Sequence, residues 1–208
     1  MNHFIGGCMV QKFNKNEVFL IGKLEKQDFD SCFVRGYKIF TNYLLVERLS
    51  GTIDRIPIRI WETQFNNISK EVWKEKVNIT GEIITFNEKR HLYLYVSILN
   101  VTACGFSVQD ENLVSLEGHI CSSTYRETPF GRKITDVTLA CNRNPKKTSY
   151  IPSLVWGQQA IALKNESIGS KIFATGRLQS RKYLKKYEDG SYEEKETYEF
   201  SISNYVLE

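Results

Sequence analysis

The segment Asn16-Glu17-Val18-Phe19-Leu20-Ile21-Gly22 returns as Asn112-Leu113-Val114-Ser115-Leu116-Glu117-Gly118, an N-x-V-x-L-x-G pattern repeated at an offset of 96. The register then holds. Arg48 meets Arg143, Ile56-Pro57 meets Ile151-Pro152, Trp61 meets Trp156 and Gly81 meets Gly176, all at an offset of 95. One residue of drift over such a span implies two copies of one fold. A period of this length is too long for a solenoid repeat and has the size of a small domain. The 208 residues therefore divide into an N-terminal arm over 1–13, a first domain over 14–104 and a second over 111–208. The junction from Ala103 to Glu111 is short, so the two copies are expected to pack together or to act in a fixed relation.

Within each copy the periodicity is that of strands. Val18, Leu20 and Gly22 alternate with their neighbours, as do Ile56, Ile58 and Ile60, then Val77, Ile79 and Gly81, then Leu92, Leu94, Val96 and Ile98. The second copy repeats this through Val114-Leu116-Gly118, Ile134-Val137-Leu139, Leu154-Trp156, Ile172-Ala174-Gly176 and Phe200-Ile202. Helix-compatible stretches fall only at 63–74 and 157–163, between the third and fourth strands of each copy. Five strands with one short helix between strands 3 and 4 is the element order of an OB-fold. The expected class is all-β: two tandem OB-fold five-stranded Greek-key barrels. Gly22, Gly81, Gly118 and Gly176 interrupt strand patterns, where glycine marks a bulge or a barrel corner.

Several function classes are excluded by composition and motif. Hydrophobic residues at 41% rule out a disordered chain, and no apolar run approaches a membrane span. The N-terminus lacks the features of a secretory signal, so a cytoplasmic, nucleoid-associated location is expected. Cys8, Cys32, Cys104, Cys121 and Cys141 are odd in number and never C-x-x-C, which suggests neither disulfides nor zinc but buried or partly buried free thiols. His3, His91 and His119 are scattered and no phosphate-cradling glycine motif occurs, so neither catalysis nor a cofactor is expected.

The second copy resembles the bacterial single-stranded DNA-binding protein family over nearly its whole length. The resemblance is carried by Asn112-x-Val114-x-Leu116-x-Gly118, by Gly131-Arg132-x-Ile134-x-Asp136-Val137-Thr138-Leu139-Ala140-x-Asn142-Arg143, and by Leu154-Val155-Trp156-Gly157. It continues in Gly169-x-x-Ile172-x-Ala174-x-Gly176-Arg177-Leu178-Gln179-Ser180-Arg181-Lys182-Tyr183 and in Thr197-Tyr198-Glu199. For the first copy the resemblance rests mainly on the repeat. It implies a protein that coats single-stranded DNA without reading sequence, in replication, recombination or repair. It also implies a homodimer giving four OB-folds. The family's disordered acidic and hydrophobic C-terminal tip, which recruits other replication proteins, has no counterpart at Ser203-Asn204-Tyr205-Val206-Leu207-Glu208, which leaves recruitment in doubt.

Such binding needs aromatic faces for bases and cations for phosphates. The resemblance places stacking aromatics at Tyr150, Trp156 and Tyr183, and Arg143, Lys146, Lys147, Arg177, Arg181, Lys182, Lys185 and Lys186 lie around them in sequence. A tryptophan on a strand serves a core as readily as a base, so Trp156 is open to both roles. Residues 105–187 hold 13 basic and 6 acidic side chains, whereas 188–208 hold 1 and 7, so the modest net charge of +4 hides a basic body. The acidic segment 188–196 is expected at the tip of the last hairpin. In the first copy Arg55 stands at the position of Tyr150, and Phe86-Asn87-Glu88 at that of Arg181-Lys182-Tyr183. Trp61, Phe86, Lys89, Arg90 and Tyr93 could still form a platform there. The expectation is that this copy has turned in part from binding to packing against the other, with unequal contributions from Trp61 and Tyr183. Two other readings stay open: an oligomerisation or primosome-type module with weak or no nucleic-acid binding, and RNA as the ligand.

Overall fold

The computed structural model describes residues 16–89, 91–144 and 147–208; the arm at 1–13 lies outside them. The first half contains β1 (Asn16–Leu24), β2 (Asp30–Val34), β3 (Tyr37–Glu47), β4 (Ile53–Trp61), α1 (Glu62–Phe65), β5 (Val77–Glu88) and β6 (His91–Ala103). The second contains β7 (Glu111–Glu127), β8 (Lys133–Asn144), β9 (Lys147–Trp156), α2 (Gly157–Leu163), β10 (Lys171–Lys186) and β11 (Tyr192–Leu207). Each half closes as an OB-fold barrel: β3 returns to β1 and β10 to β7, and one parallel pair in each, β4–β6 and β9–β11, completes the ring.

Two expectations need correction. The first strand of barrel one is broken into β1 and β2, because residues 25–29 leave the ladder. Asn42 Nδ2 donates to the Lys26 and Asp28 carbonyls at 2.9 and 3.3 Å and pins the excursion, while Phe29 packs edge-on against Phe65 and Trp73 at 5.0 and 4.9 Å. The stretch 63–74 is not one helix: α1 ends at Phe65 and a separate 3₁₀ turn spans Val72–Lys74. Asn66, Asn67 and Ser69 favour caps and turns over helix interior. This break lets Phe65 and Trp73 stack on each other at 5.8 Å. The stretch 157–163 is the helix α2.

Alternation buries Val18, Leu20, Ile56, Ile58, Ile79 and Ile83 in barrel one and Val114, Leu116, Leu139, Ile151, Ile172 and Phe200 in barrel two. The glycines act through close approach. The ladder slips at Thr80/Gly81 and again at Thr175/Gly176. A Cβ at Gly81 would stand 2.5 Å from the Ser97 carbonyl oxygen, and one at Gly176 2.0 Å from that of Ser201. Only glycine lets the strands cross that tightly at a corner.

The thiols differ from the expectation. Cys141 is buried and Cys104 half-buried, but Cys32 and Cys121 are exposed, the first on edge strand β2 and the second at a bulge of β7.

The two barrels are joined by their first strands. β1 pairs antiparallel with β7, Val18 opposite Val114, so the two N-x-V-x-L-x-G copies lie against each other and all eleven strands form one sheet. The repeated asparagine has a task here. Asn16 exchanges two hydrogen bonds with the Ile83 backbone at 2.7 and 2.9 Å, and Asn112 does the same with Leu178 at 2.7 and 2.9 Å. Each side chain pairs both the N–H and the C=O of one strand residue, and the Ile83 carbonyl also accepts from Ser149 Oγ at 3.3 Å.

Candidate nucleic-acid interface

On β4, with Ile56, Ile58 and Ile60 turned into the core, Arg59 and Trp61 face outward. On β6, with Leu94 and Val96 inward, His91, Tyr93 and Tyr95 face outward. The parallel pairing of β4 with β6 sets these two rows side by side. Phe86, directly opposite Tyr93 on β5, stacks on Tyr93 at 5.2 Å and on Tyr95 at 6.2 Å, and His91 meets Tyr93 edge-on at 4.5 Å. At the other end the Arg59 guanidinium lies 5.6 Å from the Trp61 ring, which Tyr37 meets edge-on at 6.2 Å.

Arg143, from β8 of the other barrel, comes close enough to Arg59 for its charge to weigh on it. Neither arginine has an ion pair among the described residues, and each has a buried Nε without a hydrogen-bond partner, although Glu82 lies near Arg143. Burial first, and the neighbouring Arg143 second, pull the Arg59 guanidinium down to about 10. Burial lowers Arg143 too. Both remain cations at neutral pH. Two desolvated like charges are costly unless an anion sits between or beside them, and a phosphate supplies that anion.

The strip leads into barrel two. Tyr93 and Tyr95 line the same cleft as Tyr183 on β10, which brings the stack they form with Phe86 next to the second barrel. Arg181 stands 5.9 Å from the Tyr183 ring and Lys185 5.1 Å from Tyr187. The acidic segment is only partly a hairpin tip: the turn covers 187–191, while Glu193, Glu194 and Glu196 sit on β11 opposite the β10 cations. Lys182 pairs with Glu194 at 2.8 Å and Arg181 with Glu199 at 3.8 Å. Such pairs on the surface contribute little, and a phosphate can displace them.

The other candidates are more dispersed. Tyr150 is 51% exposed inside β9, with its amide held by Thr85 of barrel one, and Trp156 is 42% exposed at the end of that strand. Lys147 is exposed at the start of β9. Arg177 has no ion pair among the described residues and a buried Nε; burial, and then Arg48, lower it, while Arg48 itself is held by Asp54 at 2.5 and 2.7 Å. Arg90 and Lys146 lie outside the described residues. Arg55 is engaged in packing: it pairs with Glu25 and, across the seam, with Glu196. Sequence reading missed Arg59 and Tyr95. Their signal is outward alternation beside Trp61 and Tyr93.

Residues 111–206 match the model of the single-strand binding protein family. That match covers the second barrel and no part of the first. The fold of the two barrels together recurs in solved structures. The wild-type single-stranded DNA binding protein from Thermus aquaticus aligns over 93% of this chain and 92% of its own, at 17% identity and a TM-score of 0.70. A deletion mutant of the same protein aligns over 95% and 96%, at 17% identity and a TM-score of 0.69. The N-terminal domain of PriB protein from Thermoanaerobacter tencongensis, a dimeric structure, is 32% identical over 43% of this chain and 96% of that one, with a TM-score of 0.37. No curated protein sequence matches. No helix among the described residues is long and apolar enough to cross a membrane.

Proposed function

We propose that this chain binds single-stranded DNA without strong sequence preference and protects it in replication, recombination or repair, by binding alone. The observation that carries this reading is the Arg59–Arg143 pair, two cations from different barrels with no ion pair among the described residues, of which Arg59 lies against Trp61 on the face that also carries the Tyr95–Phe86–Tyr93 stack. Aromatic faces accept any base and the arginines accept backbone, which is the division of labour a sequence-tolerant strand binder needs. The units 14–104 and 111–208 work as one. The strand continues past Tyr183, Arg181, Lys182 and Lys185, with Tyr150, Trp156, Lys147 and Arg177 extending the contact, and Lys146 and Arg90, outside the described residues, are further candidates by sequence.

A homodimer bringing four barrels together fits the outer face of the strands β11-β10-β7-β1-β5-β6. There the register sets Phe19, Leu113, Phe173 and Val206 on one side, with Leu113 57% and Val206 66% exposed. The cytoplasm, where single strands arise, is the matching location. Competition distinguishes the ligand class. A labelled oligo-dT held by the protein should be displaced by unlabelled single-stranded DNA and resist duplex DNA and poly-U; displacement by duplex at equal concentration would refute the reading.

A further inference from the structure

Where the barrels meet, Tyr43, Tyr93 and Tyr95 of the first and Tyr183 and Tyr198 of the second line one cleft of about 300 Å³. That is the lower end of the range for small-molecule pockets. Its polar wall is fixed by Arg55, whose guanidinium lies 3.2 Å from the Tyr43 ring centre. Arg55 donates to both carboxylate oxygens of Glu25 at 2.5 and 2.8 Å, and from Nη1 to Oε2 of Glu196 at 2.8 Å. The Tyr198 hydroxyl donates to the same Oε2 at 2.8 Å. Oε1 of Glu196 is left without a hydrogen bond from any described residue.

Two carboxylates against one guanidinium make this wall acidic, with Lys182, itself paired with Glu194, adding positive charge nearby. A phosphate is disfavoured there. A flat ring carrying an N–H donor is favoured, because it meets both the tyrosine faces and the open carboxylate oxygen. The cleft adjoins the Phe86 stack through Tyr93 and Tyr95, so a strand lying on that stack passes its mouth. In a single strand a base turns out of the stack at little cost.

We infer that the cleft holds one turned-out nucleobase with an exocyclic amino group, which donates to Oε1 of Glu196. The inference rests on the single-strand-binding reading and adds to it a bias for amino-bearing bases at one position of the bound strand. Cytosine presents an amino donor where uracil presents a carbonyl acceptor, and the two bases are otherwise nearly the same shape.

The test is a titration of the full chain with oligo-dC and oligo-dU of equal length at mildly alkaline pH. Wild type should bind oligo-dC about fivefold to tenfold more tightly, the size of one good base-edge contact. In Glu196→Gln the amide carbonyl keeps the Arg55 and Tyr198 donors, and the amide NH₂ replaces Oε1. That variant should prefer oligo-dU. Equal wild-type affinity for the two oligomers, or a preference for oligo-dC that survives unchanged in Glu196→Gln, would overturn the pocket and leave strand binding standing. Failure of wild type to bind either oligomer would instead overturn the strand-binding reading. The wild-type comparison decides the matter even if the variant fails to fold.

Discussion

Thr85 Oγ1 accepts a hydrogen bond from the Tyr150 amide at 2.8 Å, and Ser180, its counterpart at an offset of 95, accepts one from the Arg55 amide at 3.0 Å. The return bonds also correspond: the Thr85 amide donates to Ser149 Oγ at 3.3 Å and the Ser180 amide to Asp54 Oδ1 at 3.2 Å. The barrels therefore meet through one seam used twice. Thr85 is 8% exposed, so Thr85→Val leaves the Tyr150 amide without its acceptor in a site that water reaches poorly. The expected loss is about 1–3 kcal/mol, read as a lower urea midpoint at unchanged slope. An unchanged midpoint would mean that this bond does not hold the seam.

Trp61 and Tyr183 belong to different copies, yet Trp61 stands beside Arg59 on β4, and Tyr93 and Tyr95 on the adjacent β6 line one cleft with Tyr183. Alanine at either position should weaken oligo-dT binding by about 1–3 kcal/mol, the value of one base stack. Fluorescence titration of both variants checks this. A loss confined to Tyr183→Ala would make barrel one a packing partner alone.

Leu113 is 57% exposed on the face it shares with Phe19. Leu113→Arg should convert a sedimenting dimer to a monomer that keeps the wild-type circular dichroism, because a change at an exposed position leaves the fold of the chain in place. A wild type that sediments as a monomer at the same concentration would refute this assembly.

Burial pushes the Cys141 thiol from about 9 up to about 12. The unfolded chain loses this proton first, so between these values the folded state binds more protons and stability from this group falls as pH rises. Below 9 the contribution is fully present. Urea midpoints across this window should decline less steeply in Cys141→Ala. At neutral pH a thiol reagent should label Cys32 and Cys121 in the native protein, and Cys141 only after unfolding; prompt native labelling of Cys141 would contradict its burial.

The barrel strands were legible because one face of each must be apolar and the same faces recur 95 residues later. Gly81 and Gly176 marked corners for the same reason. What the sequence hid was set by contacts distant in the chain. Phe29 and Trp73 are drawn to Phe65, which breaks both the first strand and the expected helix. Arg59 reads as an ordinary solvated strand residue until the other barrel brings Arg143 beside it. Arg55 marked the loss of an aromatic, but its bonds to Glu25 and Glu196 depend on a cleft that exists only once β1 has paired with β7.

The most direct measurement is the salt dependence of oligo-dT affinity in wild type, Arg59→Ala and Arg143→Ala, with an oligomer longer than the roughly 4–16 nucleotides covered by one barrel. Log affinity should fall linearly with log salt, and each substitution should reduce the slope by about 0.7, the share of one phosphate contact on a single strand. Slopes unchanged in both variants, with affinity intact, would contradict a strand path across the two barrels at these arginines.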